Sequence, residues 1–253
     1  MSRTQRLLTI AITSGLVAAC VSLLAAQRDS MSPGRTLEPS FSTKLQRQIA
    51  EFDVAGLPMA QLAIRLAYEH RVPMALEYVD EDALRKPLRL KLKAHNLRGV
   101  IDAIVTALPE YHVDFSQGIV DVYCLAARRD QSNPLNTLIL RYDVENLDTH
   151  FADAQLLCDI NSLKGGGCGG SVAGGQWGPT VVTLRLANKR VYEILNAIVA
   201  QNGQALWVPI TRPVKSSAIP MNFWYIYPLD PAFETSAIER LEPSVPERRA
   251  GAP

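Results

Sequence analysis

Leu88, Leu90 and Leu92 alternate with Arg89, Lys91 and Lys93, the period of two that marks a strand with one face buried. After a turn at Ala94, His95 and Asn96 the spacing changes. Leu97, Val100, Ile101, Ile104 and Leu108 form the stripe of an amphipathic helix. A shift of 94 residues carries Leu90 onto Leu184, Leu92 onto Leu186, Leu97 onto Val191, Val100 onto Ile194 and Ile101 onto Leu195. It also superposes Ala103, Ile104 and Val105 on Ala197, Ile198 and Val199. Strand, turn and helix keep register without a gap, so the pattern reads as an internal duplication.

Upstream of the first copy, Phe52, Asp53 and Val54 predict a short strand, and Pro58 stands where the first turn of a helix accepts it. Met59, Leu62, Ala63, Leu66 and Ala67 mark one helical face that ends before Pro73. Residues 74–78 predict another strand, and residues 112–115 and 119–123 alternate around a Gln117-Gly118 turn. In the second copy the predicted elements are a strand at 138–144, a helix at 151–163, the repeated unit, and strands at 206–210 and 223–227. The expected fold class is α+β: two small sandwich modules, each two helices packed on a short mixed sheet in the order β-α-β-β-α-β-β. They span residues 48–126 and, in degenerate form, 134–227, behind an N-terminal hydrophobic helix.

That helix, within residues 1–26, is a signal peptide or a membrane anchor. Arg3 and Arg6 precede an uncharged stretch of 20 residues from Leu7 to Ala26, about the length of a bilayer core and longer than a typical cleaved signal. Two cleavage readings compete. Val17, Ala18, Ala19 and Cys20 match a lipoprotein box with Cys20 as the lipidated residue, and Leu24, Ala25 and Ala26 form an ordinary cleavage site. Cys20 is equally a small apolar residue of the span. In each case the basic end stays inside, which places the remainder on the periplasmic side of a bacterial envelope, anchored or secreted. On composition, residues 27–47 read as a linker and 228–253 as a disordered tail.

With 47% hydrophobic residues, the 253-residue chain has material for a core. A net charge of +1 lacks the basic footprint of a nucleic-acid partner. His70, His95, His112 and His150 show no metal-binding spacing, no cysteine pair is C-x-x-C, and Gly-x-Ser-x-Gly does not occur. No catalytic residue, cofactor or metal is therefore expected. The glycine-rich stretch 165–178 lacks the Gly-Lys-Ser of a phosphate loop and reads as a flexible loop. Trp177 within it is either tucked onto the core or offered to a partner. Cys158 and Cys168 can close that loop as a disulfide in an oxidising compartment, or stay as thiols. Arg89, Lys91 and Lys93 form a basic stripe that either engages an acidic partner or is a solvated face.

Phe52-Asp53-Val54, the helix around Leu62-Ala63-Ile64-Arg65-Leu66-Ala67, and residues 97–105 with the hairpin that follows resemble the secretin and TonB short N-terminal domain. The resemblance covers residues 51–124. The second copy departs from it, with Gly165-Gly166-Gly167-Cys168-Gly169-Gly170 where the family has a strand. Similar domains act as docking units at the periplasmic end of secretins and of TonB-dependent signal-transducing receptors. The expected function is thus a non-enzymatic envelope docking module, accessory to a secretion or TonB-dependent transport or signalling system. Its expected partners are envelope proteins, with the membrane contacted through the N-terminal segment. The strands after Ile119 and around Leu138 are the expected docking edges. The alternative is an envelope small-molecule-binding protein or hydrolase using a cleft between the modules near Trp177, Cys168 and His150.

Overall fold

The first alternating stretch becomes β3 (Pro87–Asn96), paired antiparallel with β1 (Gln48–Pro58) in a two-stranded ribbon. The computed structural model describes residues 40–77, 86–163, 165–166, 180–209 and 224–241. A short helix, α1 (Phe41–Leu45), leads into the ribbon. Two helices cover its apolar face, α2 (Met59–His70) and α3 (Leu97–Thr106). Helix α2 begins after Pro58, whose backbone is still extended, and ends where Arg71 turns left-handed at φ 50°, just ahead of Pro73. Helix α3 begins at Asn96, whose side-chain oxygen accepts the Gly99 N–H at 2.8 Å. The short strands β2 (Met74–Leu76), β4 (Tyr111–Asp114) and β5 (Val120–Cys124) complete this half, with α4 (Leu125–Arg129) after them.

The second half repeats the plan with β6 (Leu138–Asp148), α5 (Thr149–Leu163), β7 (Val181–Arg190), α6 (Val191–Asn202), β8 (Ala205–Pro209) and β9 (Trp224–Pro228). Its ribbon has the register of the first. Val54 faces Leu90 and Phe52 faces Leu92 in one, and Val144 faces Leu184 and Tyr142 faces Leu186 in the other. Both ribbons bulge at the same place, where Gly56 has φ 92° and Asn146 φ 57°. Glycine and asparagine are the residues that reach this left-handed region at least cost. Both helices that follow are entered through the same hydrogen bond, Leu97 N–H to the Arg47 carbonyl at 2.9 Å and Val191 N–H to the Thr137 carbonyl at 3.1 Å.

The two halves do not each own a sheet. They share one of five strands, in the order β4-β5-β2-β8-β9, with β2 parallel to both β5 and β8. One face, with Met74, Leu76, Val120, Val122, Leu206 and Val208, belongs to the core of α2 and α3. The other, with Ala75, Ile119, Trp207, Trp224 and Ile226, belongs to the core of α5 and α6. The layers therefore run ribbon, helices, shared sheet, helices, ribbon. Trp207 and Trp224 are completely buried; at about 200 Å² per ring and about 25 cal/mol per Å², each gains on the order of 5 kcal/mol of gross transfer free energy.

Several expectations change. The structure is mixed α+β with seven helices among the described residues, but the separate sheets expected of two modules are replaced by the shared one. Between the shared sheet and the second half, Ala75, Ile119, Trp207 and Ile226 form a packed core, while two of the residues around which a cleft was expected, Trp177 and Cys168, lie outside the described residues. The strand after Ile119 is no exposed edge, because β5 is paired on both sides. Residues 228–253 are not uniformly disordered: α7 (Glu234–Leu241) folds back against α2, with Ala237 and Leu241 fully buried. The linker assigned to 27–47 is ordered in its last part. Leu45 is buried there, and the Lys44 ammonium donates to the Arg71 carbonyl at 2.7 Å. The N-terminal hydrophobic segment, Cys20 included, lies outside the described residues, none of whose helices is long and apolar enough to cross a membrane.

Candidate functional site

Two places differ from an ordinary core or an ordinary solvated surface. One is the outward face of the ribbons. On the first ribbon the predicted basic stripe is a mixed one, since Glu51 stands opposite Lys93 and Asp53 opposite Lys91. The Lys91 ammonium lies 3.1 Å from an Asp53 carboxylate oxygen and 4.0 Å from Glu51. Only Arg89 faces an apolar partner, Ala55. Such exposed pairs contribute roughly 0–1 kcal/mol each, yet they set a carboxylate against two of the three cations of the stripe. Of the stripe Arg89, Lys91 and Lys93, the two lysines thus stand in a cross-strand charge ladder and Arg89 does not. Sequence reading missed it because Glu51 and Asp53 lie some forty positions away and meet the stripe only through register.

The second ribbon carries its own ladder. Arg185 lies 3.4 Å from Glu145, and Arg141 pairs with Asp143. A hollow of about 350 Å³ is lined by Arg141, Asp143, Val144, Glu145 and Arg185. Beside these charges the second half exposes large apolar side chains: Leu138 and Leu140 on β6, Phe151 and Leu163 on α5, and Val181 on β7, each between 49% and 68% exposed. At the matching positions of the first half, ninety residues earlier, stand Gln48, Ala50 and Gln61 in place of Leu138, Leu140 and Phe151.

The other place is buried, where the shared sheet meets α4 and α6. Arg128 of α4 donates to Glu77 through Nε at 2.6 Å and again through Nη2, and to Asp121 Oδ2 at 2.6 Å. Its guanidinium is stacked 3.4 Å from the centre of the Tyr123 ring and 4.7 Å from that of Tyr192. Asp121 Oδ2 also accepts the Asn196 amide at 2.9 Å, and Asn196 in turn accepts the Trp207 indole N–H at 2.8 Å. Asp121 Oδ1 is buried without a nitrogen or hydroxyl donor. Burial, reinforced by the neighbouring Glu77 and opposed by Arg128, pushes the Asp121 carboxyl up to about 8. The sequence concealed this group. Asp121 alternates with Val120 and Val122 and so reads as the wet face of a strand, but the second half covers that face.

A second buried acid, Asp153 of α5, accepts the Trp224 indole N–H at 2.5 Å. Burial lifts its carboxyl to about 7, against the stabilising hydrogen bond from Trp224. Cys158 is disulfide-bonded and Cys124 is free and buried. Cys168, Trp177 and most of the glycine-rich loop lie outside the described residues. Among the described residues, no group of three or more His, Cys, Asp or Glu side chains is arranged to hold a metal ion. No protein-family model matches this chain, and no curated protein and no solved structure matches it either.

Proposed function

We propose that the chain is a non-enzymatic docking protein of the bacterial cell envelope. In this reading it carries two modules similar to the secretin and TonB short N-terminal domain, held on the periplasmic side by residues 1–26, and it serves a secretion or TonB-dependent transport or signalling system. The observation that carries the reading is the asymmetry between the halves. Two halves with ribbons of the same register differ in that the second displays Leu138 and Leu140 on its ribbon and Phe151 on the helix that follows, where the first has Gln48, Ala50 and Gln61. Exposed apolar side chains set among charges have the make-up of a surface that is covered by a protein partner. Strand β6 is paired on one side only among the described residues, so its backbone can accept a strand while Leu138 and Leu140 supply apolar contact.

The test replaces both leucines with aspartate in the full chain and crosslinks the protein in its native envelope. The expected result is loss of the crosslinked protein adduct with thermal unfolding shifted by no more than about 0.5 kcal/mol, as for exposed substitutions. An unchanged adduct yield overturns the docking face. Recovery of a bound small molecule and no protein partner favours the alternative of a small-molecule-binding protein or hydrolase.

A further inference from the structure

We propose that the joint between the two halves is a proton-operated latch, closed while Asp121 keeps a proton on Oδ1 shared with Glu77 and loosened when that proton leaves. The geometry sets the count of charges. Two buried carboxyl groups face one guanidinium, and Arg128 spends two hydrogen bonds on Glu77 and one on Asp121 Oδ2. With Asp121 neutral the cluster is balanced and the proton can be shared with the neighbouring Glu77 carboxylate; because Oδ2 already accepts from Arg128 and Asn196, the partnerless Oδ1 is the oxygen left to carry it. With Asp121 ionised, two carboxylates confront each other beside a single cation in a largely buried site, which is unfavourable unless the site opens.

The polar neighbours come from every element around the group. Glu77 follows β2, Arg128 is on α4, and Tyr192 and Asn196 are on α6, while Trp207 is on β8. Tyr123 lies on β5 itself, under the Arg128 guanidinium. Asp114, opposite Asp121 on β4, uses its own carboxylate to accept from the Ser116 N–H and hydroxyl at 2.8 Å each. None of these supplies a second cation. The chain from Asp121 through Asn196 to Trp207 crosses from the first half to the second, so opening the acid pair removes the polar stitch between them.

The experiment titrates the full chain from about pH 6 to about pH 10 and follows the Trp207 indole N–H by nitrogen-edited NMR, with amide exchange of α6 and β8 read against α2. The expected result is a Trp207 shift with a midpoint near the folded-state value of Asp121, about 8, and protection of α6 and β8 that falls by up to about tenfold per pH unit as pH rises towards that value and levels off above it. Asp121→Asn keeps the donor and removes the titration, so Trp207 and both elements become pH-independent. Glu77→Gln removes the opposing carboxylate and moves the midpoint to lower pH by at least about one unit. A Trp207 signal that does not titrate in the parent overturns the latch. So does an Asp121→Asn protein that titrates like the parent, or, if that variant does not fold, a Glu77→Gln midpoint that stays in place.

Discussion

Trp224 of β9 donates its indole N–H to Asp153 of α5 across 2.5 Å, inside the core of the second half. The acid stands near pH 7 in the folded chain and near 3.9 when unfolded, so between about pH 4 and about pH 7 the folded state holds a proton that the unfolded state has lost. Stability from this group is therefore complete below pH 4 and declines as pH rises to 7. Asp121 acts in the same sense up to about 8. Glu193 and Asp114 are shifted the other way, and what they contribute is lost only below the ordinary carboxylate range. Burial lowers the His70 imidazole, which opposes this trend with at most one proton against the two acids, so the expected outcome is a melting temperature that falls from pH 5 to pH 8.

Asp153→Asn should flatten part of that slope while keeping a partner for the indole. Asp153→Ala removes the carboxylate that accepts the Trp224 N–H in the core and should cost about 1–3 kcal/mol at neutral pH. Urea unfolding of both variants at pH 5.5 and 8 reads the difference directly. Equal slopes in the parent and in Asp153→Asn would remove the acid from the pH response.

Gly56 and Asn146 hold the same bulge in the two ribbons at positive φ. A Cβ at Gly56 meets nothing within 4 Å, so Gly56→Ala should destabilise by the backbone term alone, about 1–2 kcal/mol. Asn146→Gly should be neutral or mildly stabilising by denaturant unfolding. A larger loss for the second than for the first contradicts the equivalence of the bulges.

Charge reversal of Lys91 sets like charges against Asp53 and Glu51 on an exposed face and should cost no more than about 1 kcal/mol. Capture of an envelope partner should survive Lys91→Glu and fail with Leu140→Asp. The opposite pattern would move docking to the first ribbon.

Residues 134–241 expressed alone should show no cooperative thermal transition. Strands β8 and β9 bury Leu206, Val208 and Tyr227 against the core of the first half, and β8 takes its inner pairing from β2. A sharp melting transition in the isolated fragment would show that the shared sheet is dispensable.

The repeat was open to reading in one dimension. Leu90 and Leu184, or Ile104 and Ile198, announce their roles by spacing because a strand and a helix present side chains at fixed periods whatever lies nearby. The same spacing ended one helix before Pro73 and began another at Leu97, after the turn that includes Asn96. Glycine at 56 and asparagine at 146 carry no such signal, since a bulge is visible only once two strands are paired.

What the amino-acid sequence determined alone was most strands and helices of the repeated units, one apolar face of each, and that the pattern occurs twice. Tertiary structure alone decided that the two halves share β2 rather than each closing a sheet, that α7 returns to cover α2, and that Glu51 and Asp53 neutralise the lysines. It also decided that Asp121 is buried beside Glu77 under a single arginine. The physical reason is that periodicity reports one face of one element, whereas burial of the opposite face and the balance of charge depend on neighbours brought together from distant parts of the chain.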